Sequence, residues 1–248
     1  RAAFVSLLGL GLAGMLTVWL LLPETLRTRT AEPISIGSFI GSYRVVGRSP
    51  VFWSFLGISI AAYAGLFAWI SGASFVLQNL YGLSPFDFGV AFATGAVGYM
   101  CGSALSARLS TRIGLNGTIG VGGCFCTAGG FGMIASVGLG FTSGFSLVLP
   151  MAIFLAGLGM VLPHCIAGAL TPFPERAGAA SSLFGFLQQC AAAVCGAYVG
   201  WMLRANAWPL AITIAALGCL TLVNWALTRN IRRRAMAQHA GRCYSARG

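Results

Sequence analysis

The sequence predicts an all-α membrane protein with seven transmembrane helices. Two observations are compositional: the chain is 57% hydrophobic and only 8% charged, whereas roughly one-quarter of the residues in a soluble globular domain are charged. The third is the spacing of the apolar stretches, since seven of them are long enough to cross about 30 Å of hydrocarbon. The predicted spans are residues 4–22, 51–77, 86–107, 115–141, 145–170, 177–203 and 208–227.

The first helix, within residues 1–22, is followed by a linker over residues 23–50, the longest stretch outside the predicted membrane. Four apolar residues in the linker fall at positions i, i+3, i+4 and i+7, which is typical of an amphipathic helix lying on a membrane surface. They are Ile36, Phe39, Ile40 and Tyr43. An ordinary linker with one or two helical turns is the alternative interpretation.

The third span has a well-marked beginning. Ser84 is a capping residue, Pro85 stands at the first helical position and Asp87 at the third, a combination that predicts a helix N-terminus. We therefore expect Asp87 to complement the helix dipole rather than to relay protons. Farther along, Gly98 and Gly102 are four residues apart and allow a neighbouring helix to approach closely.

Two short charged corners separate predicted spans. Arg108 and Arg112 are one helical turn apart and are followed by Gly114, which predicts a tight turn before the fourth span. Glu175 and Arg176 stand side by side between the fifth and sixth spans, with long uncharged stretches on both sides. Each corner is predicted to lie at a membrane surface.

The basic residues predict the orientation of the chain. All fifteen are arginines, and the formal net charge is +11. Placing the basic tail, residues 229–248, in the cytoplasm leaves only Arg1 and Arg204 outside, as the positive-inside rule favours. The tail sequence RNIRRRA is therefore predicted to stop transfer and to contact anionic lipids, not nucleic acid.

Polar and aromatic side chains inside the spans are the candidate substrate contacts. His164 follows Pro163, where a bent helix offers polar groups to a cavity. Aromatic rings attract bulky apolar or cationic compounds. The candidates are Tyr63, Trp69, Ser71, Phe75, Gln78, His164, Phe184 and Gln188. For every one of them, interhelical packing or hydrogen bonding is the alternative.

Three stretches carry a resemblance to a known family: residues 75–84, residues 102–114 and, most specifically, residues 174–188. They resemble the C-terminal half of a major facilitator superfamily transporter, within it the Bcr/CflA group of drug-resistance transporters. The second stretch is similar to the superfamily's cytoplasmic loop motif, but Ser106 or Ala107 replaces its acidic residue.

The resemblance implies that the spans are family helices six to twelve, with a six-helix C-terminal bundle over residues 51–228. It implies a proton-coupled multidrug efflux antiporter of the bacterial inner membrane, working by alternating access on small amphipathic or cationic substrates. Helices one to five, with the proton-coupling acid, would belong to a missing N-terminal bundle. The gating and loop-motif residues are Gly102, Arg108, Arg112, Gly114, Glu175 and Arg176. We expect no cofactor, metal or enzymatic activity.

Three alternatives remain. Because the chain begins at Arg1 and enters an apolar span almost at once, we expect a fragment, and a truncated remnant that inserts without transporting anything is the main rival. A narrow-substrate metabolite exporter of the same superfamily is the second. A seven-helix receptor or retinal protein is the third, and the retinal protein is disfavoured because the chain has no lysine to form a Schiff base.

Overall fold

A computed structural model of the chain describes residues 2–21, 36–141, 143, 145–203 and 206–234, and all regular structure in those ranges is helical. The first of two units ends at Ile36 and contains α1 (Ala2–Leu21). The second unit begins at Gly37 and contains the helices that follow. The predicted linker residues 23–35, the tail beyond residue 234 and Arg204 lie outside the described residues.

A helix, α2 (Ile36–Gly47), forms where the amphipathic helix is predicted; its place on the membrane surface stays a prediction. Its twelve residues make more than three turns, so the alternative of an ordinary linker with one or two turns is wrong for this segment. Val46 near its end is fully buried. The hydroxyl oxygens of Tyr43 and Ser182 are 3.0 Å apart, which attaches this helix to a later part of the second unit.

The next helix, α3 (Pro50–Ser74), begins at a cap in which Ser49 Oγ accepts a hydrogen bond from the backbone N–H of Phe52. It continues without a break into a π-helix over Phe75–Leu80. The sequence predicts a span that ends at residue 77, with no change of helix type. Apolar periodicity does not reveal a π-helix, whose turns are wider than those of an α-helix and are frequent at functional sites.

The helix α4 (Pro85–Gly138) begins where the capping pattern predicted. Ser84 Oγ accepts a hydrogen bond from Asp87 N at 3.1 Å and donates one to Asp87 Oδ2 at 2.7 Å. The Asp87 carboxylate is thus engaged at the helix start, as the capping interpretation requires.

A non-helical residue divides α4 into two arms, residues 85–113 and 115–138. Gly114 has φ 72° and ψ 172°, and a side chain would strain a backbone with positive φ. The predicted turn at Gly114 is confirmed. At about 1.5 Å per residue the 54 residues of α4 would reach about 80 Å, far more than the bilayer core.

Three more long helices complete the second unit: α5 (Phe145–Leu170), α6 (Ala177–Met202) and α7 (Trp208–Leu227). A single 3₁₀ turn, Pro174–Arg176, precedes α6, and residues 229–234 form a further helical segment after α7. In this unit α3 packs against α5, α6 and α7, whereas α4 packs against α5 and α7.

Glycines bring α4 and α5 into backbone contact. A Cβ atom on Gly98 would overlap the carbonyl oxygen of Ala152, and one on Gly102 would overlap that of Ala156. The close helix approach predicted from this glycine pair is therefore confirmed.

Six helices in the described part are long and apolar enough to cross a membrane. They are Phe4–Leu21, Pro50–Leu80, Pro85–Gly138, Phe145–Leu170, Pro174–Met202 and Trp208–Leu227. The all-α membrane class is confirmed. The difference from seven arises because α4 contains two of the predicted spans, and the count of seven crossings stays a prediction.

Candidate functional site

An open cavity of about 340 Å³ lies between α3, the first arm of α4, and α5. Trp69 of α3 forms one wall and is only 2% exposed. Its ring is 6.2 Å from that of Phe92, which is 4.7 Å from Phe88. The lining residues are Leu66, Trp69, Ile70, Phe92, Gly95, Ala96, Tyr99, Met100 and Leu155.

Small residues on α4 leave the room for this cavity. Gly95 and Ala96 face it, and a Cβ atom on Gly95 would lie 2.9 Å from Leu155 Cδ1 of α5. A larger residue at position 95 would therefore push against α5 at the back of the cavity. The same glycine-rich packing that joins α4 to α5 thus shapes the wall opposite Trp69.

The cavity wall is apolar and carries no ionisable group apart from the hydroxyl of Tyr99. Concave apolar sites rich in aromatic rings bind small molecules largely through buried area. Ring faces such as those of Trp69 and Phe92 also attract cations without fixed directions. The arrangement is therefore suited to bulky apolar compounds and to lipophilic cations.

Of the eight predicted substrate contacts, only Trp69 lines the cavity. Residues that sequence reasoning missed include Phe92, Tyr99 and Met100 on α4. The sequence contains a pattern that could have identified this face. At three- and four-residue intervals, one face of the helix carries Phe92, Ala96, Tyr99 and Ser103.

Three other predicted contacts lie along the seam between α3 and α6. Gln188 of α6 is 8% exposed, and its Nε2 donates a hydrogen bond to Ser59 Oγ at 2.6 Å. The ring of Phe184 meets that of Phe52 edge-on at 6.1 Å. Ser71 packs closely against Gly196 of α6, since a Cβ atom at position 196 would lie only 2.5 Å from Ser71 Oγ. The structure therefore brings these residues to one seam, apart from the aromatic cavity.

The remaining predicted contacts are dispersed. The rings of Tyr63 and Phe67 are 5.1 Å apart and half-buried on α3. Phe75 and Gln78 lie on the π-helix, where Gln78 Nε2 donates to Ser74 Oγ at 3.4 Å.

His164 is half-buried on α5, one residue after Pro163. Its Nδ1 is 2.9 Å from the carbonyl oxygen of Met160. The ring is thus tied to its own helix, and among the described residues its Nε2 has no hydrogen-bond partner. The substrate roles of His164 and of the other dispersed residues stay predictions.

Five of the six predicted gating residues lie at or near the two corners, and their gating role stays a prediction. Arg108 and Arg112 are exposed and border an open groove of about 580 Å³ on the first arm of α4, before Gly114. The sixth, Gly102, is buried against α5, where it allows the close helix contact. Glu175 and Arg176 are exposed on the 3₁₀ turn before α6.

In the described part of the tail, residues 229–234, one charged residue is buried, contrary to the prediction that the basic run contacts lipid. Arg232 is 0% exposed, whereas Arg229, Arg233 and Arg234 are exposed. The prediction fails for Arg232 because the helical segment after α7 turns this side chain inward, towards Asn116 and the carbonyl oxygen of Trp225.

Comparison with known proteins agrees with this architecture. Residues 1–197 match the sequence profile of the Major Facilitator Superfamily. The chain is 24% identical to the bicyclomycin resistance protein homolog of Haemophilus influenzae over 234 residues, 93% of this chain and 58% of that protein. It is 29% identical to the uncharacterized MFS-type transporter YdgK of Bacillus subtilis over 205 residues, 79% of this chain and 49% of that one.

A third relative is multidrug resistance protein D of Escherichia coli, which is 25% identical over 184 residues, 74% of this chain and 46% of that protein. The chain spans about half the length of the curated relatives it matches. The predicted resemblance to the Bcr/CflA group is confirmed by the drug-resistance relatives. Because the superfamily profile covers most of its length, the chain belongs to the Major Facilitator Superfamily.

Proposed function

We propose that this chain forms the C-terminal bundle of a proton-coupled multidrug efflux antiporter of the bacterial inner membrane, working by alternating access. The observation that carries the proposal is the apolar aromatic cavity around Trp69 in a member of a transporter superfamily. Two relatives are named for resistance to bicyclomycin and to multiple drugs, which supports efflux of small amphipathic or cationic compounds.

The proposed topology has seven crossings, corresponding to family helices six to twelve. The two arms of α4 cross in opposite directions and meet at Gly114, since a single crossing needs only about twenty residues. The proposal places Gly114, the Glu175–Arg176 corner and the C-terminus in the cytoplasm, as the arginine distribution favours.

The proposed mechanism requires a second, N-terminal bundle in the full-length protein. That bundle would supply the second wall of the substrate site and the carboxylate that couples transport to protons, because none of the spans predicted here has an acidic residue in its middle. Alternating access then arises from rocking of the two bundles around the midplane site. The exposed corner residues Arg108, Arg112, Glu175 and Arg176 would take part in closing the cytoplasmic side.

Within this proposal, Trp69 binds substrate in the cavity. The seam residues Ser71, Phe184 and Gln188 would extend the site towards α6, and His164 offers its free ring nitrogen from α5. The amide of Gln188 would exchange Ser59 for a substrate group during transport. Tyr63, Phe75 and Gln78 would contact substrate from α3 and the π-helix.

The test uses the full-length gene in a bacterial host that lacks its own exporters. Expression should raise resistance to part of a broad drug panel, and Phe92→Ala should weaken drug affinity by about 2- to 30-fold, the range for loss of one aromatic–cation contact. Phe131→Ala is the matched control, because that ring is 55% exposed on the second arm of α4 and lies away from the cavity.

Each outcome separates the alternatives. Resistance that Phe92→Ala lowers and Phe131→Ala leaves unchanged supports the drug exporter. Proton-driven movement of one metabolite without any resistance would favour a narrow-substrate exporter. Full-length protein that inserts and moves no compound would overturn the proposal in favour of a non-transporting remnant.

A further inference from the structure

The side chain of Arg232 forms a buried hydrogen-bonding centre behind the Gly114 corner. Its Nε donates to Asn116 Oδ1 at 2.7 Å, and one terminal nitrogen donates to the carbonyl oxygen of Trp225 at 2.6 Å. The other terminal nitrogen donates to Thr228 Oγ1. Its Cζ lies 5.7 Å from the ring centre of Phe55 on α3.

The acceptors of Arg232 are all neutral. Among the described residues no carboxylate forms an ion pair with it, and burial lowers its pKa to about 10. A buried charge without a counter-ion destabilises a fold unless its hydrogen bonds compensate. Arginine at this position is therefore explained by the hydrogen bonds it makes rather than by electrostatic stability.

Those bonds converge on Asn116, two residues after the break in α4. Arg232 holds the Asn116 side chain, while Trp225 Nε1 of α7 donates to the Asn116 carbonyl oxygen at 2.8 Å. Trp225 itself is packed tightly, because a Cβ atom on Gly120 would lie 2.5 Å from its ring. The beginning of the second arm is thus fixed to α7 and to the segment after it.

The corner itself has little packing of its own. A Cβ atom on Gly114 would have no neighbour within 4 Å, and residues 111–114 are all exposed. Gly102 fixes the middle of the first arm against α5. The orientation of the segment between Gly102 and the corner, which carries Arg108 and Arg112, therefore depends also on how firmly the second arm is held at Asn116.

We propose that Arg232 is a positioning residue for transport: through Asn116 it fixes the Gly114 corner and so sets the orientation of Arg108 and Arg112. This inference rests on the proposed function, because the corner acts only in a chain that changes conformation. The exposed neighbours Arg229, Arg233 and Arg234 remain available to the anionic membrane surface, and Arg232 does not share that role.

Transport kinetics of the reconstituted full-length protein provide the test. Arg232→Met keeps the length of the side chain and removes its hydrogen bonds, so turnover should fall about tenfold while the substrate KM changes less than about twofold, the split expected when binding is intact. Arg232→Lys, which keeps the charge and a donor, should recover part of the turnover. Arg233→Met is the matched control and should resemble the unaltered protein.

A double-mutant cycle tests the path through Asn116. Asn116→Ala should lower turnover as much as Arg232→Met does, and the double variant should be no slower than either single one. Unchanged turnover in Arg232→Met, or effects that multiply in the double variant, would overturn the inference.

A labelling experiment keeps this inference separate from the proposed function. Thr111→Cys introduces a thiol on the exposed groove beside Arg112, and peptide-resolved mass spectrometry distinguishes it from the native cysteines. Its labelling rate with a water-soluble maleimide should change at least threefold when Arg232→Met is added and should not change with Arg233→Met. Equal rates in all three proteins would overturn the inference even if transport fails to appear for any drug.

Discussion

The α4–α5 interface and the α3–α6 seam hold the same bundle together by different means. At the first, Gly98 and Gly102 bring two backbones into direct contact. At the second, side chains meet in pairs, with Phe184 on Phe52 and Gln188 on Ser59. Backbone contact cannot adjust to a larger neighbour, whereas paired side chains can change rotamer and partner.

The difference assigns different tasks to the two regions. Without water, helices in a bilayer associate through close packing and interhelical hydrogen bonds. The α4–α5 pair associates through close packing, and we expect it to move as one body that forms part of the wall of the aromatic cavity. The α3–α6 seam associates through interhelical side-chain pairs, and in the proposed function a passing substrate would recruit their polar groups.

Substitution at Gly102 should have the largest effect. Gly102→Val places a branched side chain against the carbonyl of Ala156, and because backbone cannot yield, the loss should reach about 3 kcal/mol, the upper end for overpacking. Thermal unfolding in detergent, followed by size-exclusion chromatography, measures it. Gly89→Val is the control on the same arm, since Gly89 has open space around it; equal losses in both variants would show that helix propensity, not packing, is responsible.

Breaking the buried pair of the seam should have a smaller effect. Ser59→Ala leaves the Gln188 amide without its partner and should destabilise the bundle by about 1–2 kcal/mol, the range that model peptides give for interhelical hydrogen bonds in membranes. Replacing both residues, as Ser59→Ala with Gln188→Leu, should recover part of that loss because no polar group is left unsatisfied. Thermal unfolding again provides the measurement, and Gln189→Leu on the exposed face is the control.

The same variants separate packing from substrate binding at Gln188. If Gln188 contacts substrate, Gln188→Leu should raise the transport KM, whereas Ser59→Ala should lower only stability. Equal KM values in both variants would mean that the amide serves the seam alone. The two variants can be compared directly because both remove the same hydrogen bond, and only Gln188 is a candidate substrate contact.

Much of the fold could be predicted because the bilayer restricts it. Apolar length predicted the long helices, the Ser84–Asp87 pattern predicted where α4 begins, and paired glycines predicted its contact with α5. Gly114 was predictable as a turn because arginines precede it and an apolar run follows. These signals are local, and each has one dominant physical cause.

What could not be predicted depends on neighbouring helices. The π-helix at Phe75–Leu80 has the same apolar periodicity as α-helix. The partner of Gln188 follows from how α6 meets α3, which no local pattern encodes. The sequence predicts that Arg232 faces lipid, because arginines near the end of a span usually mark the cytoplasmic side of the membrane. Its burial follows instead from the placement of Asn116 on a distant segment.

The smallest effect is expected at the exposed end of α6, where the linker helix α2 touches it. Tyr43→Phe removes the hydroxyl that lies 3.0 Å from Ser182 Oγ, and because water replaces the lost partner at an exposed site, the loss should be about 0.5 kcal/mol or less. Hydrogen exchange is the more sensitive measurement, since faster exchange confined to α2 reports local detachment. Tyr198→Phe, an exposed tyrosine elsewhere on α6, should leave α2 unchanged. A loss as large as that of Ser59→Ala would contradict the ranking, because an exposed hydroxyl would then stabilise the bundle as much as a buried pair.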